Sequence, residues 1–311
     1  MAWLVGGFAL VAWLIVRVGA PVLGKVLEEA GLTGLLAIAG FHLSLVTSLM
    51  GLAWWRLRRT GPRWIFVWGR MLRDAGSEIL PLSQVGGSVL AARAIILRGI
   101  GSTMAAATII ADATMEFCAQ IAFVAVGLVT LTSLAGGSTA PVKPILVGIA
   151  IALAAAVGFI CVQRRGADVL ARAAARFLSS SMGPTLAATS AVQTELRGIY
   201  QLKRVWPSFA LHLAAWILTA VEAWLALRLM GASIGFATVL TLESLLYAAR
   251  SIAFLVPSAI GIQEGAYVVI GTALGLTPEL ALGLSVLKRG RDLLLGIPAL
   301  LSWQIAESRR R

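Results

Sequence analysis

Charge is what this sequence has least of. Charged residues make up 13% of its 311 positions, and 59% are hydrophobic, for a mean hydropathy of +0.90. An ordinary soluble domain carries about 25% charged residues, so a water-soluble globule is excluded. Acids are scarcer than bases, 14 Asp plus Glu against 26 Lys plus Arg, which leaves a net charge of +12. The chain has only two histidines and two cysteines. Cys118 and Cys161 fall inside apolar runs, so no disulfide framework is implied, and no metal-ligand spacing accompanies His42 or His212. Gly86-Gly87 does not follow a strand, which excludes a nucleotide-binding loop there. The basic excess sits in short stretches between apolar segments. It therefore reads as a determinant of topology and of contact with anionic lipid headgroups, not as a nucleic-acid surface.

What is present is a succession of long apolar segments, each near the ~20 residues that cross ~30 Å of hydrocarbon. Spanning helices are expected at about 2–22, 32–55, 102–131, 143–162, 207–230 and 279–306. The first lacks the basic flank of a cleaved signal peptide. Segments 60–100 and 236–277 are too apolar for solvent loops and too broken by Gly and Pro for simple spans. Between the fourth and fifth spans, residues 163–206 mix Arg172, Arg176, Arg197, Lys203 and Arg204 with alanines and leucines, the pattern of an amphipathic surface helix. Eighteen of the 26 Lys and Arg fall in 56–102, 163–206 and the tail Arg309–Arg311. By the positive-inside bias, both termini are cytoplasmic. The expected fold is an all-α polytopic membrane protein, one domain over 1–311, with about six spans and two re-entrant helical elements.

The halves of the chain echo each other. His42 precedes Trp54 by twelve residues in the second span, and His212 precedes Trp224 by twelve in the fifth. Each of these spans is followed by a broken apolar stretch of similar length containing a Pro/Gly element, "ILPLSQVGG" at 79–87 and "FLVPSAIGIQEG" at 254–265. In the six-span topology the two units, about 32–131 and 207–306, are inverted. Inverted repeats with discontinuous helices meeting near the midplane are a transporter architecture. Proline removes a backbone donor and glycine frees the backbone to bend, so Pro81 and Pro257 are expected to mark re-entrant loops entering from opposite faces.

Charges also appear where the bilayer core is expected. Asp112 and Glu116 lie one helical turn apart in the third span, and Lys288, Arg289, Arg291 and Asp292 lie in the middle of the sixth. Glu243, Arg250 and Glu264 belong to the second re-entrant region, and Arg93 and Arg98 follow the first. Each such charge costs about 2.5–3.5 kcal/mol at the bilayer centre, so the set must face an interior or a wet cavity. Acids in one repeat and a basic cluster in the other suggest pairing across the repeats, and interior cations would attract a phosphate-bearing headgroup. His42 and His212 are expected to be hydrogen-bonded packing residues.

The stretches "LPLSQVGG" (80–87), "IIADATMEF" (109–117), "FLVPSAIGIQEGA" (254–266) and "SVLKRGRDLLLGIPALLSWQ" (285–304) resemble the flippase-like family that includes the transmembrane region of lysylphosphatidylglycerol synthases. Within it, the chain is most similar to the hopanoid-biosynthesis-associated membrane proteins. The resemblance implies a bacterial inner-membrane, lipid-handling module that moves lipid between leaflets. It implies pathway positions at Pro81, Gln84, Gly86, Gly87, Asp112, Glu116, Arg250, Pro257, Gly261, Gln263, Glu264, Lys288, Arg289, Arg291 and Asp292. Relatives often carry an acid after the paired glycines, where this chain has Ser88. Aminoacyl transfer in the synthases belongs to a separate soluble domain, so lysyl transfer is not expected here.

The reading favoured by these features is a non-enzymatic flippase or scramblase for a polar-headed or hopanoid-type lipid, with membrane lipids as its partners and no cofactor. Lipid-biosynthetic enzymes and a second copy of the chain are further candidate partners. Two other readings stand beside it. One is an intramembrane enzyme acting on a lipid phosphate or isoprenoid with Glu264 or Asp112 as acid/base, for which the sequence offers no nucleophile or metal-binding set; Ser285-x-x-Lys288 lacks the companion motifs of acyl transfer. The other is a scaffold that recruits partners through the basic 163–206 segment.

Overall fold

The computed structural model describes residues 20–59, 61–79, 83–134, 183–201, 203–252 and 259–309, together with Trp13, Ile15 and Val16. Every regular element among them is helical. The expected spans at 143–162 and over most of 2–22, the connector before residue 183, and both Pro81 and Pro257 lie outside the described residues.

The first half opens with a long helix, α1 (Ala20–Phe41), that runs through a π-helical turn (His42–Thr47) into α2 (Ser48–Arg58). The expected loop before residue 32 is instead helix, broken only at Gly31. A helix pair follows, α3 (Arg63–Glu78) and α4 (Ser83–Leu97), and then α5 (Ser102–Leu134). After the connector helix α6 (Gly183–Gln201), the second half repeats this order. A long helix α7 (Val205–Leu229) leads to a pair, α8 (Phe236–Ile252) and α9 (Ile262–Ala273), and then to α10 (Pro278–Ser308).

Length separates the paired helices from the rest. The arms contain 16, 15, 17 and 12 residues. At 1.5 Å per residue, the longest reaches about 26 Å, short of the ~30 Å hydrocarbon core. By contrast, Leu23–Arg58, Ser102–Leu134 and Val205–Leu229 are long and apolar enough to cross it. The 31-residue α10 has the length but carries four charges in its middle. It turns Lys288 and Arg291 inward and exposes Leu294, Ile297, Leu301 and Ile305 along its outer face. An apolar stripe outside and ions inside is the arrangement a helix adopts in lipid. This is a membrane protein.

Local chemistry repeats along with the element order. Trp54 packs edge-to-face on Phe66, and Trp224 packs likewise on Phe236, with centroids 5.2 and 6.3 Å apart. The turn into each helix pair needs a left-handed residue, Gly61 in the first half and Gly231 in the second. His42 and His212, Trp54 and Trp224, Gly61 and Gly231, and Phe66 and Phe236 are all 170 positions apart.

Contacts between the halves are reciprocal. α3 packs on α10 and α8 packs on α5, while α5 also packs on α7 and α10 on α1. The continuous helix of α1, the π-helical turn and α2 runs antiparallel to α7, because Gly34 lies against Leu229 whereas His42, eight residues further along, meets Glu222. Each half has an apolar cluster of its own, around Trp54, Phe66 and Ile95 in the first and around Leu227, Leu242 and Leu284 in the second. A third cluster of Val46, Met50, Phe123, Trp216 and Ala220 joins them. The small residues Ala119, Ala215, Ala220 and Ala223, all fully buried, let these helices approach closely.

Of the connector, residues 183–201 form α6. α6 turns Leu196 and Ile199 into the first-half cluster and leaves Arg197 exposed. Arg58 pairs with Glu195 at 2.8 Å.

Candidate functional site: a buried ionisable seam

Each helix pair presents charges to the last long helix of its own half. On α3, Arg70 and Arg73 are one turn apart on the face that also buries Phe66 and Gly69. Arg70 Nη2 donates to Glu116 Oε1 at 2.8 Å and also holds Asp74 at 3.0 Å. Arg73 Nη1 reaches Asp112 Oδ2 at 3.2 Å and Glu116 Oε2 at 2.7 Å. His212 Nε2 donates to Asp112 Oδ1 at 2.9 Å from α7. Arg70, Arg73, Asp112, Glu116 and His212 are all buried.

The second half is built the same way with the signs exchanged. Glu243 on α8 accepts from Lys288 Nζ on α10 at 2.6 Å and from the Tyr267 hydroxyl at 2.6 Å. Beside it, Arg291 pairs with Glu222 of α7 and, through Nη2, with Asp292 at 2.6 Å. His42 Nδ1 lies 2.7 Å from Glu222 Oε2 and 3.1 Å from Arg291 Nη1.

Between these clusters the two helix pairs meet. Glu78, the last residue of α3, pairs with Arg250 near the end of α8. Arg250 Nη1 also donates to Gln263 Oε1 at 2.7 Å, and Gln263 Nε2 donates to Ser285 Oγ at 3.2 Å. Arg289 Nε donates to Glu264 Oε1 at 3.0 Å and reaches Glu78 at 3.5 Å. Gly261 holds φ +83 at the start of α9, and its N–H donates to Glu264 Oε2 at 2.7 Å. This bond from the N-cap backbone orients the Glu264 carboxylate toward Arg289.

Together these pairs form one seam holding Asp74, Glu78, Asp112, Glu116, Glu222, Glu243, Glu264 and Asp292 against Arg70, Arg73, Arg250, Lys288, Arg289 and Arg291. Eight of the chain's 14 acids are here, but only six of its 26 bases. A small cleft opens onto the seam, lined by His42, Thr47, Asp74, Glu78, Asp292 and Gly296 among others. Both His42 and Thr47 lie in the π-helical turn of that long helix. A π-bulge re-aims side chains that a regular helix would direct elsewhere.

The structure gathers Asp112, Glu116, Glu243, Arg250, Gln263, Glu264, Lys288, Arg289, Arg291 and Asp292 in this seam, with Gly261 at its edge. Arg93 lies apart, half-exposed and bonded to Glu307 near the end of α10 at 2.6 and 3.1 Å. Gly87 is a packing residue: a Cβ there would strike the Arg73 carbonyl and the Ser77 hydroxyl, so its absence lets α4 cross α3 at backbone contact. Gly86, on the same helix, is half-buried, and the Gln84 side chain lies outside the described residues.

The pairing itself differs from expectation. Asp112 and Glu116 do not meet the Lys288–Arg291 cluster, because the guanidinium groups of α3 occupy both acids. The interior cations are likewise all matched to carboxylates. Within the seam, the halves are joined by Glu78 with Arg250 and Arg289, His212 with Asp112, and His42 with Glu222 and Arg291. The two histidines are hydrogen-bonded, as expected. Sequence reasoning missed Arg70, Arg73, Asp74, Glu78 and Glu222. Glu222 had the plainest signal, an acid inside an expected span.

Comparison with protein-family models matches residues 3–299 to the family described as the lysylphosphatidylglycerol synthase TM region. The chain belongs to that family. The match takes in both halves and the whole seam. No curated protein and no solved structure matches the chain.

Proposed function

We propose that this member of the family moves a polar-headed lipid, of anionic or hopanoid type, between the leaflets of a bacterial cell membrane without chemically altering it. The observation that carries this reading is the concentration of buried and half-buried ion pairs around the place where two short-armed helix pairs meet. Such a set of charges is sustained in a bilayer only where it is paired in the interior or lines a hydrated path, and its meeting with a cleft at the junction favours the path. The antiparallel α2 and α7 and the reciprocal contacts support an inverted repeat, with six spans and both termini in the cytoplasm. The helix pairs then enter from opposite faces, and rocking of one half against the other exposes the seam to each leaflet in turn. The headgroup travels along the seam and the acyl or terpenoid tail stays in lipid. Because every cation in the seam already has a carboxylate partner, an anionic headgroup passes by exchanging with Glu78 or Glu264, not by filling an empty site.

Purified protein in vesicles carrying fluorescent lipids tests this, with an impermeant quencher reporting the outer leaflet. Exchange faster than in protein-free vesicles, and slowed by Arg250→Gln, is expected. Exchange at the protein-free rate across anionic, zwitterionic and terpenoid lipids would overturn the proposal.

A further inference from the structure

His42 sits where two incompatible hydrogen bonds converge on one nitrogen. Its Nδ1 is 2.7 Å from Glu222 Oε2 and 3.1 Å from Arg291 Nη1. An arginine only donates and a carboxylate only accepts. If Nδ1 carries a proton, it donates to Glu222 and repels the Arg291 N–H. If it carries none, it accepts from Arg291, and the short contact to Glu222 then requires the proton to sit on the carboxyl. One proton's position therefore decides whether Arg291 bonds to His42 or is turned away.

The surroundings give a second proton a route to the ring. His42 is 14% exposed and lines the cleft, whereas Glu222 behind it is 1% exposed. From α3 the cleft receives Asp74 and Glu78, and from α10 it receives Asp292. The opposing cations are Arg291, shared between Glu222 and Asp292, and Lys288, which is held by Glu243. With both histidines neutral the seam has two more carboxylates than cations, an imbalance that a buried cluster relieves by binding protons.

We infer that His42, Glu222 and Arg291 form a proton-binding site fed from the carboxylate-lined cleft. A proton arriving at the cleft-facing His42 ring makes an imidazolium that competes with Arg291 for Glu222. Arg291 is displaced toward Asp292, and the link between α10 and the α2–α7 pair loosens. The site supplies ion coupling to the transport proposed above and rests on that reading for its role, but not for its existence.

The chain's two histidines make the test direct. Protein labelled with ¹⁵N-histidine in lipid nanodiscs is titrated from about pH 8.5 to 5, a window that brackets the ordinary imidazole midpoint, and His212→Gln assigns the signals. The His42 ring is expected to protonate in this window, and Glu222→Gln is expected to lower its midpoint by about one pH unit or more. Asp292→Asn should shift it the same way by less, which keeps the test available if the Glu222 variant does not fold. A His42 ring that stays neutral throughout, or whose midpoint ignores both substitutions, overturns the site. Titration of His42 without lipid exchange would sink the transport reading alone, and exchange with a silent His42 would sink the proton site alone.

Discussion

Arg73 and Asp112 form a buried ion pair whose counterpart in the second half has its charges reversed. Arg73 Nη1 stands 3.2 Å from Asp112 Oδ2. Counting 170 positions on from Arg73, the interval between His42 and His212, gives Glu243. Counting 176 on from Asp112, the interval between the turn glycines Gly99 and Gly275, gives Lys288. Glu243 and Lys288 are themselves paired at 2.6 Å. The two halves thus keep one ion-pair geometry and differ in its polarity.

This relationship predicts a rescue. Arg73→Glu or Asp112→Lys alone sets like charges against each other at a buried pair and should lower stability by about 3–5 kcal/mol. The double exchange reproduces the polarity of the second half at this pair and should recover part of the loss, because Glu116, which Arg73 also holds at 2.7 Å, then keeps Arg70 alone. Thermal unfolding of the detergent-solubilised protein reads this. A double variant no more stable than either single would show that the site is specific for sign.

The junction of the helix pairs should matter for transport more than for folding. Glu78→Gln and Arg250→Gln are each expected to slow leaflet exchange by about tenfold or more, an increase of ~1.4 kcal/mol in the barrier. Because the residues act on one another, the double variant should be little slower than the worse single. Fully additive losses would mean that the two side chains act separately.

Gly87 and Gly198 should respond oppositely to alanine. At Gly87 a methyl group meets the α3 backbone, and overpacking of this kind costs about 1–3 kcal/mol. At Gly198 in α6 an added methyl group meets nothing within 4 Å, so alanine should be neutral or stabilising by up to ~1 kcal/mol through helix propensity. Melting temperatures of the two variants decide it, and equal shifts would contradict the crossing of α3 and α4.

Arg93 provides the contrast among the charges that the sequence places near the bilayer core. It is half-exposed and bonded to Glu307 near the end of α10, away from the seam. Arg93→Ala should leave both melting temperature and exchange rate unchanged. A transport defect would place the lipid path along α4 and away from the seam.

Much of the architecture was legible in the sequence, because lipid imposes strict rules on length and charge. The His–Trp spacing in spans two and five revealed the repeated order. Asp112, Glu116 and Lys288–Asp292 stood out as ions in apolar helices. The partners of those ions were harder to see. Arg70 and Arg73 resembled topogenic charges in a broken loop, and only the formation of α3 turns them inward. Glu222 was diluted within a 25-residue apolar helix. The exchange of Arg73 for Glu243 also hides the repeat from any search for identity, since what the two halves share is the pairing and not the residue.

The most direct measurement of the central claim is the side of the membrane on which each helix pair begins. Arg63 and Ser233 are both exposed beside the entry turns at Gly61 and Gly231. With Cys118 and Cys161 replaced by alanine, Arg63→Cys and Ser233→Cys can be labelled with an impermeant maleimide in sealed, oriented vesicles. Labelling from opposite faces is the predicted result, with Arg63→Cys on the cytoplasmic side. Labelling of both from one face would contradict the inverted arrangement and, with it, a seam alternately open to each leaflet.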